Sequence, residues 1–254
     1  MKITFLGTGT STGVPMIGCH CEVCTSHNPH DKRLRSSVLI EASGKKILID
    51  AGPDFRQQML KHNVEQLDAI VITHGHKDHI AGLDDVRAYN YWQKKPMPVY
   101  ADAATQEQIK REMWYAFAEV KYPGIPDIGL IEIFEDKNFQ VEEIDFIPIR
   151  VRHLKMPVLG FRVGDFTYIT DANFIPADSF EKISGSKILV LNALRKEKHV
   201  SHFTLAEAIE IAQLIKPEHT YFTHISHQLG KHSDIQKELP SGIFLAHDSL
   251  EISI

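Results

Sequence analysis

The 254-residue sequence has three cysteines, two tryptophans and no surplus of positive charge. Three thiols cannot close into a full disulfide set, which excludes a disulfide-stapled scaffold. Apolar runs are no longer than strand-sized stretches such as 188–191, far short of the roughly 20 residues a membrane-spanning helix requires. No membrane partner is expected. Residues 1–6, Met1-Lys2-Ile3-Thr4-Phe5-Leu6, do not open into the apolar core of a secretory signal, so a cytoplasmic location is the expectation. Asp and Glu number 33 against 28 Lys and Arg, a formal charge of −5, and a chain so charged has no general attraction to nucleic acid.

What is present is the balance of a globular protein, 43% hydrophobic and 24% charged, with a length that layered α/β folds accommodate in one domain. Short β-rich segments at 2–6, 36–42 and 46–50 open the chain, the last two joined by a Ser43-Gly44 turn. The pattern then predicts helices over 54–62, 79–92 and 103–118, with a strand at 67–72. Residues 122–129 carry two prolines and two glycines and read as a loop, a candidate lid or insert. Strands follow at 143–152, 159–163, 167–170, 187–193, 220–223, 243–246 and 250–254, with helices at 204–215 and 233–238. Two β-rich halves with helices outside suggest a layered α/β sandwich.

Directly after the strand at 67–72 comes Thr73-His74-Gly75-His76-Lys77-Asp78-His79-Ile80, four potential metal ligands within six residues. A tight turn there can aim His74 and His76 at one cation while Asp78 and His79, entering a helix, face a second. A second cluster, Cys19-His20-Cys21-Glu22-Val23-Cys24 in the loop 18–25, offers three thiolates suited to a closed tetrahedral zinc site with one more ligand. His227 is the candidate for that ligand, and His20 and His27 are nearer alternatives. A reactive thiol pair is the rival reading.

The ordered His-x-His-x-Asp-His turn resembles the signature of the metallo-β-lactamase superfamily. That resemblance implies a single-domain, four-layer αββα sandwich with two divalent metals at the edge between its sheets. It further implies three later ligands, and His153, Asp171 and His224 each follow a predicted strand. By the resemblance His74, His76 and His153 bind one metal, Asp78, His79 and His224 the other, and Asp171 bridges them. Manganese or zinc suits these donors and iron is admissible, whereas three thiolates select zinc. Asp50, at the end of the strand 46–50, matches a position that hydrogen-bonds the ligand loop.

The glycine-rich loop Gly7-Thr8-Gly9-Thr10-Ser11-Thr12-Gly13-Val14-Pro15, the cysteine cluster, Thr223-His224-Ile225-Ser226-His227-Gln228 and Leu239-Pro240-Ser241-Gly242 narrow the resemblance to the phosphoribosyl 1,2-cyclic phosphate phosphodiesterase branch. A pyrroloquinoline quinone biosynthesis protein shares the first two more loosely. The glycine loop lacks a P-loop lysine and reads as a tight turn bordering the site. The branch implies a metal-dependent phosphodiesterase that hydrolyses a small, cyclic phosphodiester by attack of a hydroxide bridging the metals. Asp78, Asp171 and His202 are its catalytic candidates, with His202 as proton donor to the leaving group. Arg195, Lys196 and Lys198 read as a solvated face. Alternatives are a transfer RNA 3′-processing endonuclease, another hydrolase of the superfamily or a non-catalytic accessory protein. A homodimer would fit the family.

Overall fold

The structure is a computed structural model that describes residues 1–120 and 122–254. Its strands run β1 (Lys2–Gly7), β2 (Ser37–Ala42), β3 (Lys45–Ile49), β4 (Ala69–Val71), β5 (Met97–Ala101), β6 (Ile128–Glu132), β7 (Phe139–Val141), β8 (Ile144–His153), β9 (Met156–Val163), β10 (Phe166–Tyr168), β11 (Ile188–Asn192), β12 (His219–Thr223), β13 (Ile243–Leu245) and β14 (Glu251–Ser253). The α-helices are α1 (Phe55–Lys61), α2 (Lys77–Ile80), α3 (Arg87–Gln93), α4 (Ala103–Glu112), α5 (Ala177–Ile183), α6 (Leu205–Ile215) and α7 (His232–Glu238).

The strands form two seven-stranded sheets, ordered β14-β1-β2-β3-β4-β5-β6 and β13-β12-β11-β10-β9-β8-β7. Each sheet is antiparallel along one half and parallel along the other, the change falling at β3 and at β10. Ser43 and Gly44 both have positive φ, 51° and 74°, the backbone that closes a two-residue hairpin between β2 and β3.

Alternation along the strands builds three apolar layers. Val38, Ile40, Ile47 and Ile49 of the first sheet meet Phe146, Phe161, Phe166 and Tyr168 of the second in the central core. Their neighbours Leu39 and Leu48 point outward to Phe55, Leu83, Val86 and Ile109 beneath the first helix layer. Leu189, Leu191 and Phe222 point to Leu205, Ala208, Ala212 and Ile235 beneath the second. The central strands are thus covered on both faces, which is why β4 and most of β11 are apolar at successive rather than alternate positions. Each large aliphatic side chain so buried contributes about 1.5–3 kcal/mol. The result is the four-layer αββα sandwich. Among the described residues, no helix is long and apolar enough to cross a membrane.

Several elements differ from the sequence reading. The helix over 79–92 is three pieces: α2, a 3-10 stretch over Ala81–Val86, and α3. Gly82 packs against the backbone of Gly52 there and its amide bonds Ala51, which interrupts regular helix. The helix over 103–118 stops at Glu112, before a 3-10 turn over Trp114–Ala116. Residues 128–129 of the expected loop enter the edge strand β6. β5, β6, β7 and α5 carry too little periodicity to be read from sequence: β5 contains a proline and β7 is three residues long.

Candidate active site

The site lies where strand ends from both sheets converge. Asp50 follows β3, Asp171 lies just beyond β10 and His224 follows β12, and all three have left-handed backbones, with φ of 65°, 53° and 55°. Such a conformation costs an L-residue roughly 1–2 kcal/mol, a strain that concentrates where side chains must be aimed at a common point. His74 follows β4, while Asp78 and His79 lie on α2.

The ligand turn is clamped by Asp50, which is completely buried. Its carboxylate accepts from the Thr73 amide at 2.9 Å, from Thr73 Oγ1 at 2.9 and 3.1 Å, and from His79 Nδ1 at 2.7 Å. His79 therefore presents Nε2 to the crevice. Gly52 lets the turn approach, because a Cβ there would lie 2.0 Å from the Asp78 carbonyl oxygen.

In the crevice His79 Nε2 stands 3.2 Å from Asp78 Oδ2 and 3.2 Å from Asp171 Oδ2, and His224 Nδ1 stands 3.1 Å from the same Asp171 oxygen. Ligand atoms of Asp78, His79, Asp171 and His224 all lie within 4.8 Å of one another. The other Asp171 oxygen is 3.1 Å from His202 Nε2, and His153, Asp171 and His202 form a second group on the same 4.8 Å criterion. His153 is held by its Nδ1 donating to the Ser201 carbonyl at 2.9 Å. His74 and His76 share a 3.1 Å contact between ring nitrogens, and their rings lie 6.1 and 5.2 Å from that of His153. The structure thus collects all seven expected His and Asp ligands in one crevice and places His202 nearer to His153 and Asp171 than the sequence reading required.

Charge in the crevice is strongly mutual. Burial alone would raise the Asp171 carboxyl, yet His224 and His79 hold it well below its ordinary range. Burial opposes a proton on His79, but Asp50, Asp78 and Asp171 carry its pKa well above the usual value. Burial depresses His74 strongly and brings His224 down to about 4. His79 Nε2 is buried without a hydrogen-bond partner although two carboxylates flank it. A nitrogen and two carboxylates facing one point without hydrogen-bond geometry fit a divalent cation.

At the cysteine loop, Cys19 Sγ and Cys21 Sγ lie 3.5 and 3.3 Å from His227 Nδ1, and Cys24 completes a four-ligand group within 4.8 Å. The Cys24 amide and His227 draw the Cys21 thiol down to about 6, whereas burial pushes Cys24 up to about 11. Three sulfurs and one ring nitrogen converging on a single point are the donor set of a closed tetrahedral zinc site. His20 and His27 are exposed and outside the group.

Sequence reasoning passed over His199, whose Nδ1 lies 3.1 Å from His202 Nδ1. The i, i+3 spacing His199-Val200-Ser201-His202 was the available signal. It also passed over Thr10, Ser36 and Thr170, whose hydroxyls surround the His224 ring at 3.1, 3.4 and 3.4 Å. A cavity of about 280 Å³ adjoins His74 and His76 and is lined by Thr105, Gln108, Met156 and Pro157. A larger cavity of about 670 Å³ lies between α1 and α3, outside the residues of the crevice.

A model described as the Beta-lactamase superfamily domain matches residues 45–225. The crystal structure of a diphosphatase from the PhnP family is 42% identical, with a TM-score of 0.93, covering 100% of this chain and 97% of that one. A Porphyromonas gingivalis protein named octanoyltransferase is 41% identical over 257 residues, covering 100% of this chain and 52% of that protein. The chain thus spans about half the length of that curated relative. The human short-form tRNase Z shares the fold, with a TM-score of 0.71 at 22% identity over 100% of this chain and 99% of that one. With its His and Asp cluster gathered between two helix-covered sheets, the chain belongs to the beta-lactamase superfamily and is similar to the PhnP-family diphosphatase.

Proposed function

We propose that the protein hydrolyses a small phosphodiester, a cyclic ester such as a phosphoribosyl cyclic phosphate being the preferred class. The observation that carries this reading is Asp171, whose two oxygens face different ligand groups, His79 and His224 on one side and His202 on the other. Asp171 would help hold the cations, with Asp78, His79 and His224 as the residues that would hold one and His74, His76 and His153 those that would hold the other. When bound, two divalent metals supply charge neutralisation for phosphoryl oxygens and an acidified water for attack. Manganese or zinc is the proposed pair, with a zinc on Cys19, Cys21, Cys24 and His227.

The chain's own residues orient and protonate. Asp50 fixes the His79 ring so that Nε2 faces the crevice. His202, 9% exposed and with Nε2 directed at Asp171, is placed to carry a proton at Nε2 to a departing alkoxide. His199 and Ser201 occupy its Nδ1 and set the ring's orientation. The 280 Å³ cavity beside His76 favours a small organic group, and the charge of −5 favours a small molecule over nucleic acid.

The 42% identical neighbour is a PhnP-family diphosphatase, which supports chemistry at phosphorus and motivates a second reading, cleavage of a diphosphate linkage. The octanoyltransferase name belongs to a protein of which this chain covers 52%. The three thiols here converge on His227 rather than on the crevice, so no cysteine stands there to carry an acyl group. The test is turnover by metal-reconstituted protein of a ribose cyclic phosphate, a linear diester, a dinucleoside diphosphate, a thioester and a transfer RNA precursor. Selective, chelator-sensitive cleavage of the cyclic ester is expected. Preferential cleavage of the diphosphate would establish the second reading, and cleavage of only the thioester or RNA would refute both.

A further inference from the structure

The loop that carries His202 is closed at its base and braced by one side chain. Its ends are tied by the Leu194 amide on the Phe203 carbonyl at 3.0 Å and by the Leu205 amide on the Arg195 carbonyl at 2.9 Å. Between them Lys196, Glu197 and Lys198 are exposed, and Lys196 pairs with Glu238 at 2.6 Å. Arg195 is half-buried and differently engaged. Its Nε donates to the Glu197 carbonyl at 3.3 Å, one terminal nitrogen to the Lys198 carbonyl at 3.2 Å, and the other to Gln228 Oε1 at 2.6 Å. Sequence pattern grouped Arg195 with Lys196 and Lys198 on a solvated face, but the fold commits its planar fork to two carbonyls and an amide oxygen.

What the brace holds is the backbone leading to the proton donor. Lys198 is followed by His199, whose Nδ1 accepts from the Ser201 amide at 3.3 Å and lies 3.1 Å from His202 Nδ1. A ring nitrogen that accepts from an amide carries no proton, so the hydrogen between the two rings belongs to His202 Nδ1. His202 is thereby oriented with Nε2 toward the crevice, 3.1 Å from Asp171. At the other end of the brace, Gln228 directly follows His227, and its amide is fixed by Ser226 Oγ at 3.1 Å, in the segment that also delivers His224. The Ser226 amide donates to the Leu194 carbonyl at 3.0 Å, so the two segments are joined by backbone as well. Arg195 thus spans from the 224–228 segment to the residues immediately before His199.

We propose that Arg195, seated on Gln228, is a positioning residue for the reaction: it fixes the 195–203 loop so that His199 aligns the His202 ring for proton transfer to the leaving group. This rests on the phosphodiester reading above, in which His202 Nε2 protonates the departing alkoxide. Arg195 acts through the loop, so its removal is felt where the leaving group needs a proton and spared where it does not.

The experiment measures kcat on a ribose cyclic phosphate, whose leaving group is an alkoxide, and on methyl 4-nitrophenyl phosphate, whose nitrophenolate departs without a proton. Metal-reconstituted wild type is compared with Arg195→Ala, Gln228→Ala, the double variant and Lys196→Ala. Arg195→Ala and Gln228→Ala should each lose about 10–100-fold on the cyclic ester, as a displaced general acid does, and less than about threefold on the nitrophenyl ester. The double variant should lose no more than Arg195→Ala, because both residues act through one contact, and Lys196→Ala should match wild type. Equal losses on the two esters, additive losses in the double variant, or undiminished turnover of the cyclic ester by Arg195→Ala overturns the proposal. A second measurement needs no substrate: carbethoxylation of His199 and His202 by diethylpyrocarbonate, followed by peptide mass spectrometry. Loss of one charge-assisted hydrogen bond should speed both reactions by about tenfold in Arg195→Ala, with circular dichroism unchanged and Lys196→Ala like wild type. Should wild type hydrolyse neither ester, the phosphodiester reading fails and this measurement decides the brace by itself: faster reaction supports it, and unchanged rates refute it.

Discussion

Replacing Asp50 by alanine removes the acceptor for three donors at once: the Thr73 amide, the Thr73 hydroxyl and the His79 Nδ1 proton. Thr73 Oγ1 retains a contact to His74 Nδ1 at 3.0 Å, so two buried N–H groups are left unpaired. At about 1–3 kcal/mol for each unsatisfied buried donor, the loss is roughly 2–6 kcal/mol, a large share of the roughly 5–15 kcal/mol that holds a domain folded. A free His79 ring also no longer presents Nε2 to the crevice, and loss of a partner that orients a ligand lowers metal affinity by about 10–100-fold. Asp50→Asn should separate the two effects. Its amide oxygen can still accept from Thr73, but its NH₂ faces the His79 proton, so stability is largely kept while metal affinity falls. Urea unfolding of metal-free protein measures the first quantity and competition with a chelating dye the second. A stability loss below about 1 kcal/mol in Asp50→Ala, with metal affinity within about threefold of wild type, would refute the clamp.

Gly52→Ala forces a methyl into the Asp78 carbonyl, so α2 must shift, and metal-dependent turnover should fall by about 100-fold, as misplacements near 1 Å do; unchanged kcat would show that the turn accommodates the methyl. His227→Ala opens the cysteine group, and thiol titration of folded protein should then show Cys19, Cys21 and Cys24 reacting with release of one zinc, against no reaction in wild type. His232 is depressed to about 4 by burial and by Arg33, so the folded ring stays neutral where an unfolded one at its ordinary 6.5 takes a proton. Its contribution to stability is lost as pH falls from 6.5 toward 4, with a slope below about 1.4 kcal/mol per pH unit because the ring is partly solvated. His232→Gln should flatten that acid limb in thermal melts. Asp248, raised to about 6 by burial, acts in the opposite sense: its stabilising proton is lost as pH rises from 3.8 to 6, and Asp248→Asn should remove that loss.

The candidate residues of the crevice were legible through the His74-x-His76-x-Asp78-His79 motif and the family resemblance it carries, which pointed to His153, Asp171 and His224 after later strands. A β-branched strand delivers Thr73-His74, and Asp171 and His224 follow apolar strands whose ends are equally abrupt. The meander through β1, β2 and β3 announced itself by the Ser43-Gly44 turn. Edge elements did not: β6 is half-exposed beyond Gly129, and its pairing with β5 is a long-range choice that local pattern does not encode. His199 lacked a motif because its partner is the His202 ring, a tertiary contact made inside one loop. Distances set the rest. Sequence could assign His74, His76 and His153 to a common neighbourhood, but only the fold places His202 beside Asp171.

The central claim is that cations shared across Asp171 carry the hydrolysis. The most direct measurement is the metal titration of cyclic phosphodiester hydrolysis by metal-stripped wild type and Asp171→Asn, with bound metal counted at each point. The account predicts that wild-type activity rises with filling of two sites beyond the cysteine-bound zinc, and that Asp171→Asn loses at least about 100-fold in kcat with one of those sites weakened. Wild-type turnover independent of added metal, or an Asp171→Asn protein that turns over at the wild-type rate with both sites filled, would contradict it.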